Sequence, residues 1–230
     1  MLYGYGEDSL TLGVLLAHTP AFLATLGDTM RESPVYTLYR PCFGRRAVAG
    51  QRGSPCAFGE FDVIIITAKS TYLIEAKHTG SSEAVGAEVQ LRPEQVRRHA
   101  VMRSYVEEWH ASQATGWEDF VARSQIVSRL HSLGLRVPDS HSRLARNLRY
   151  ILGMTSDSSG EVQDVLLFLR DLSVHGLRAS PPTEVTAPGF IVVHARVNTF
   201  NEGWTLIAPQ VGAPDVEFWR SPFVRRHGAA

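Results

Sequence analysis

The stretch "FGEFDVIIITAKSTYLIEAKH", residues 58 to 78, decides the fold. Two runs rich in β-branched and aromatic residues, roughly 61 to 66 and 71 to 77, flank the short segment "TAKS", 67 to 70, which reads as a loop joining paired strands. Side chains alternate across a strand, so Asp62, Ile64 and Ile66 share one face, and Leu73, Glu75 and Lys77 share one face of the next strand. Hairpin pairing about the loop sets Ile66 against Thr71, Ile64 against Leu73 and Asp62 against Glu75. Directly opposed residues hold their Cβ atoms about 5 Å apart. The register therefore predicts two converging carboxylates, with Lys77 one step along the same face.

Carboxylates that close repel each other unless a proton or a cation lies between them. Hard oxygens at this spacing suit Mg²⁺, which takes few protein carboxylates and keeps waters or phosphates in its other positions. Such an ion acidifies and orients a water, and a neighbouring lysine can position that water or neutralise developing charge on a phosphoryl group. The constellation fits phosphodiester hydrolysis. The competing reading is an exposed strand-end pair, Glu75 with Lys77, worth ~0.5 kcal/mol. A register slip of one residue would send Asp62 to the opposite face and remove the site.

The rest of the chain sets the context. Its 230 residues, 44% of them hydrophobic, suffice for one sizeable core. One domain is expected over 1 to 230, with a core from about 5 to 155 and appended strands and a C-terminal extension over 156 to 230. Twenty-three basic and 23 acidic residues cancel, so global charge argues neither for nucleic acid nor for membrane. The bases are nonetheless clustered. No acid lies between Glu32 and Glu60, where Arg40, Arg45, Arg46 and Arg52 fall, and Arg92, Arg97, Arg98 and Arg103 follow the opening stretch. Lys69 and Lys77 are the only lysines. Unlike arginine, a lysine can shift its pKa and lose its proton at a reactive site.

Cys42 and Cys56 offer neither metal spacing nor a disulfide framework, which suits a reducing, cytoplasmic setting. The apolar run from Leu10 to Leu26 is interrupted by His18 and Pro20 and preceded by Glu7 and Asp8, so neither a signal peptide nor a membrane span is expected. A helix capped near Asp8 or Ser9, with a second starting at Thr19-Pro20, opens the chain. "VYTLYR", 35 to 40, reads as a strand, 92 to 112 as a helix begun by Pro93, and 117 to about 133 as a further helix. "LRYILGMT", 148 to 155, "GFIVVHARV", 189 to 197, and "WTLIAP", 204 to 209, read as later strands. The order predicts an α/β layer arrangement with a mixed sheet.

An acid on one strand and acid-x-Lys on its neighbour, here Asp62, then Glu75 and Lys77 in "IEAK", resembles the PD-(D/E)xK, or restriction-endonuclease-like, nuclease superfamily. The resemblance implies an α-β-β-β-α-β core with a central mixed sheet flanked by helices, running from the leading helix to the strand at Leu148. It implies Asp62 and Glu75 as metal ligands, the Ala76 carbonyl as a third, and Lys77 as the residue working with the attacking water. Glu7, in "YGYGEDSLT", matches the further acid that the leading helix often carries. The cofactor implied is Mg²⁺, with Mn²⁺ as a substitute. The partner implied is nucleic acid, with DNA foremost, and a homodimer is a further expectation because one active site cuts one strand. Arg45, Arg46, Arg52, Arg97 and Arg98 would flank the phosphate groove. Phe61 replaces the name-giving proline, and Gln95 and Tyr105 lie too far apart to identify a branch.

Other chemistries lack a starting point. "GYGEDS", 4 to 9, has no strand before it and no third glycine, neither lysine follows a glycine as a phosphate loop requires, and no Gly-x-Ser-x-Gly elbow occurs. The nine histidines show no zinc spacing, and His78 reads as a strand-end residue beside the site. Trp204, Phe218 and Trp219 read as core before they read as a stacking surface. Two alternatives stand beside the nuclease: a nuclease-fold protein that binds nucleic acid or a protein partner without cutting, and an unrelated α/β protein.

Overall fold

A computed structural model describes residues 2–28, 35–44, 54–78, 84–85, 88–171, 184–186, 189–197, 204–207 and 216–220. In chain order the elements are β1 (Leu2–Tyr5), α1 (Gly6–Thr25), β2 (Tyr36–Tyr39), β3 (Val63–Ile66), β4 (Thr71–His78), β5 (Ala84–Val85), β6 (Glu88–Gln90) and α2 (Pro93–Ser112). They continue with α3 (Trp117–Arg123), α4 (Ile126–Ser132), α5 (Arg143–Thr155), β7 (Val162–Asp171), β8 (Glu184–Thr186), β9 (Ile191–Val197), β10 (Trp204–Ile207) and β11 (Val216–Arg220). They gather into two compact units. The first holds Met1–Glu32, Ile74–Arg92 and Asp164–Ala230; the second holds Ser33–Leu73 and Pro93–Gln163. Strand β4 contributes its first three residues to the second unit and the remainder to the first.

In the second unit the start of β4, β3 and β2 are successive neighbours, and β2 pairs antiparallel with β3, Leu38 opposite Ile64. The β3–β4 loop is the expected "TAKS". The Thr67 N–H donates to the Ser70 carbonyl at 3.0 Å, while Thr67 Oγ1 accepts from the N–H groups of Lys69 and Ser70 at 3.1 Å. A turn closed at Thr67 and Ser70 implies Ile66 opposite Thr71 and Ile64 opposite Leu73, as the alternation predicts. All four β3 residues are buried, and β4 is buried on both faces from Thr71 to Lys77. A continuous apolar run such as "VIII" suits a strand covered on both sides.

Helix α2 starts with Pro93 at its first turn, where a missing N–H costs nothing. Its buried Met102, Tyr105, Val106 and Trp109 repeat at helical spacing and meet Phe43, Phe58, Phe61, Trp117 and Phe120 in one apolar cluster. Tyr105 has its ring centroid 6.0 Å from that of Phe58, and Trp109 is 5.3 Å from Phe120. The single helix expected over 117 to 133 is broken into α3 and α4. Ser124 takes an extended conformation, its hydroxyl accepts from the Ile126 N–H, and the buried Glu108 carboxylate accepts from the Gln125 N–H at 2.7 Å. Side chains thus satisfy the free donors of a second helix start.

The strand expected over 148 to 155 is a helix. α5 begins at Arg143, its Ser142 hydroxyl accepting from the Ala145 N–H at 3.1 Å, and it buries Ala145, Leu148, Ile151, Leu152 and Thr155. Those positions recur at helical intervals once the window starts at the cap, whereas an eight-residue window hides the period. The strand that follows the helices is β7.

In the first unit the strand order is β11, β9, β7 and the later part of β4. β7 runs parallel to β9, with Phe168 opposite His194, and β11 runs antiparallel to β9, so the sheet is mixed. β1 pairs antiparallel with β10, and β6 lies between antiparallel β5 and parallel β8. Val89, Leu91, Leu166, Phe168, Phe190 and Val192 form a buried cluster. Helix α1 is kinked at His18, two residues before Pro20, where the sequence places the start of a second helix. Phe218 packs edge-on against Phe22 at 5.9 Å. The molecule is an α/β protein with a mixed sheet and several helices. Among the described residues no helix is long and apolar enough to cross a membrane.

Candidate functional site

A strand buried on both faces has no place for a solvated charge, yet β4 carries two. Glu75 and Lys77 are side-chain exposed by only 2% and 6%, and they point to one face by alternation. The exposed strand-end pair weighed from the sequence is therefore not what the chain contains. Lys77 Nζ lies 3.0 Å from Glu75 Oε1 and donates to the Ala76 carbonyl at 2.8 Å. Removing an ammonium and a carboxylate from water costs several kcal/mol per ion, which mutual attraction repays only with good geometry and further hydrogen bonds. The Ala76 carbonyl supplies one such bond.

The Glu75 carboxylate and the Ala76 carbonyl converge on one cationic centre, here the Lys77 ammonium. Two hard oxygens aimed at a common point also suit a divalent ion. Among the described residues no group of three or more His, Cys, Asp and Glu side chains is placed to hold a metal. The site expected from the sequence has two carboxylates and a carbonyl, and Glu7 as its further acid. Glu7 is in the first turn of α1, and its side chain lies outside the described residues.

Asp62 belongs to the second unit, whereas Glu75, Ala76 and Lys77 belong to the first. Asp62 is half-buried and directly precedes β3, one residue outside the strand expected to contain it. Its carbonyl accepts from the Arg40 N–H at 2.9 Å, which ties the start of β3 to the end of β2. Phe61 before it is fully buried and has its ring centroid 5.0 Å from that of His99.

The arginines expected to flank a phosphate groove separate into two groups. Arg45, Arg46 and Arg52 lie outside the described residues. Arg97 donates to the Leu133 carbonyl at the end of α4, and Arg98 places its guanidinium 5.3 Å from the centre of the Phe61 ring. Both are half-buried, so a part of each side chain serves packing. Gln95 is half-buried. Tyr105 lies in the aromatic core, where burial, and secondarily Cys56, pushes its hydroxyl pKa far up, so it stays protonated. Trp204 and Trp219 have side chains outside the described residues. Arg143, Arg146 and Arg149 of α5 are not among the expected site residues, and only Arg149 falls within the segment 148 to 155 expected as a strand.

Comparison with protein-family models, with curated proteins and with solved structures finds no match to this chain.

Proposed function

We propose that the chain is a metal-dependent phosphodiesterase that hydrolyses nucleic acid, DNA foremost, in a cytoplasmic restriction, defence or repair role. The observation that carries the reading is the buried Glu75–Lys77 pair with the Ala76 carbonyl on a central strand. Apolar residues of similar volume would serve a core equally well or better. A buried acid-x-Lys is therefore better explained by chemistry than by stability. The succession α1, β2, β3, β4, α2 and then β7 is compatible with the α-β-β-β-α-β order of the PD-(D/E)xK resemblance.

In this reading Asp62 and Glu75 would supply carboxylates to Mg²⁺ or Mn²⁺, the Ala76 carbonyl would supply a third oxygen, and Glu7 is a candidate fourth. A bound divalent ion would acidify a water and offset charge on a phosphoryl oxygen. Lys77, once released from the Ala76 carbonyl, would position that water or donate to the developing oxyanion. Arg45, Arg46, Arg52, Arg97 and Arg98 are candidate phosphate contacts, and a homodimer would let two sites cut two strands.

A second reading has a specific observation in its favour. The Lys77 ammonium already neutralises Glu75 and occupies Ala76, which a non-cutting nucleic-acid binder would also tolerate. One assay separates the two. Plasmid and single-stranded DNA are incubated with Mg²⁺ or Mn²⁺, with EDTA, Asp62→Ala and Lys77→Ala as controls. Metal-dependent cleavage lost in both substituted proteins is the expected result. Cleavage that survives both substitutions overturns the site, and binding with no cleavage under either metal selects the binder.

A further inference from the structure

The solvent face of α5 differs in its charges from the helices before it. In α2, α3 and α4 every arginine is engaged. Arg97 reaches the Leu133 carbonyl, Arg98 lies over Phe61, Arg103 donates to the Val162 carbonyl, Arg123 pairs with Asp119, and Arg129 pairs with Glu107 and Glu108. In α5, Arg143 and Arg146 are exposed, and among the described residues neither guanidinium makes a hydrogen bond or an ion pair. From 124 to 156 the chain has five arginines and one acid, Asp139, whose carboxylate accepts from the His141 N–H. Arg149 is less free, because it lies near Glu118.

Helical spacing places Arg143, Arg146 and Tyr150 on one side, opposite the buried Ala145, Leu148 and Leu152. Tyr150 is the most exposed large hydrophobic residue described, at 70% relative exposure. Gly153 is exposed one turn beyond Arg149, and a Cβ built there would meet nothing within 4 Å, so the surface beside the tyrosine is open. Helix stability does not explain these choices. A helix N-terminus favours acids, and α5 has none in its first turn.

We propose that this face of α5 is a binding surface for a single nucleic-acid strand, Arg143 and Arg146 contacting successive phosphates and Tyr150 stacking on an unpaired base. Two uncompensated guanidiniums match the phosphate backbone, and a flat exposed ring beside them matches a base that has left its duplex. The choice of nucleic acid over other polyanions rests on the function proposed above. The surface lies wholly within the second unit and does not involve Asp62, Glu75 or Lys77.

The test measures anisotropy of a labelled oligo(dT) in EDTA, where no metal-dependent cleavage occurs, across a salt series. Arg143→Glu/Arg146→Glu should weaken binding at least tenfold and lower the slope of log affinity against log salt by about 1 to 1.5, since each phosphate contact on a single strand contributes about 0.7. Tyr150→Ala should weaken binding about tenfold at unchanged slope, with Tyr150→Phe retaining it. Because acids suit the first turn of a helix, the charge-reversed protein should melt no lower than wild type. Wild type without affinity for the strand, or affinity unchanged by the double reversal, overturns the proposal. So does binding insensitive to Tyr150→Ala, or a strand displaced equally well by polyglutamate, which would point to a general polyanion surface. Cleavage with Mg²⁺ or Mn²⁺, scored in parallel for wild type and Lys77→Ala, reports on the phosphodiesterase reading alone.

Discussion

Strand β4 and helix α5 both carry charge, in opposite physical circumstances. On β4 the Glu75 and Lys77 side chains are almost wholly buried, and the ammonium is held by a carboxylate and a carbonyl. On α5, Arg143 and Arg146 are exposed, and among the described residues neither guanidinium has a hydrogen bond or an ion pair. A buried charge must be compensated inside the molecule, so its partners are visible in the fold. An exposed charge is compensated by water and leaves its partner to be supplied from outside. The first circumstance suits a reaction centre, the second a docking surface.

The largest expected effect tests the buried half of this contrast. Lys77→Met should destabilise the protein by ~3–5 kcal/mol, because it removes the buried cation that lies 3.0 Å from the Glu75 carboxylate. Urea denaturation reads this, whereas Arg146→Ala in the same assay should stay within about 0.5 kcal/mol of wild type. Glu75→Leu/Lys77→Met should recover the loss or exceed wild type by as much as ~1–4 kcal/mol while cleaving nothing. A double variant as unstable as the single one would show that the pair is needed by the fold and not for chemistry.

Two smaller effects concern how α5 is held. Ser142→Ala removes the oxygen that accepts from the Ala145 N–H and should cost about 1 kcal/mol, seen as a lower melting temperature. Gly153→Ala should add roughly 0.5–1 kcal/mol, because the site is helical and its surroundings are open. A loss there would mean that the face is covered.

The smallest concerns His110, packed against Gly160, where a Cβ would come within 2.9 Å of the imidazole Cγ. Burial lowers the His110 pKa below its ordinary value near 6.5, partly offset by a hydrogen bond to the Thr155 backbone. The unfolded chain then binds the proton more readily than the folded one. The contribution of His110 is present in full above that ordinary value and is lost as the pH falls from there through the folded value. Melting temperatures of wild type and His110→Asn should diverge least at pH 5 and most at pH 7.5. A difference that does not vary with pH would remove His110 as a titrating group.

Much of the site's local frame was legible because it depends on near neighbours. "TAKS" closes its turn through bonds between residues three apart, and strand alternation then assigns Glu75 and Lys77 to one face. Helix α2 was legible from Pro93 and from apolar residues at helical intervals. Helix α5 was not, because Leu148, Ile151 and Leu152 read alone suit a strand. Only the cap at Ser142 and the buried Ala145 reveal their period. β7 carries the continuous run "VLLFL" over 165 to 169, which suits a strand buried on both faces but by itself does not separate such a strand from a buried helix.

The sequence by itself determined which residues could do chemistry: one acid-x-Lys among two lysines, no metal-binding cysteines, and arginines in clusters. Tertiary structure decided what each charge costs. Glu75–Lys77 could have been a surface pair of negligible energy, and it is a desolvated pair on a strand covered on both faces. Arg97 could have stood clear of the fold, and it donates to the Leu133 carbonyl; Arg98 lies over Phe61, while the Arg143 and Arg146 guanidiniums have no such contact among the described residues. The charge of a side chain is written in the sequence. Its desolvation depends on what packs around it, and residues distant in the chain supply that packing.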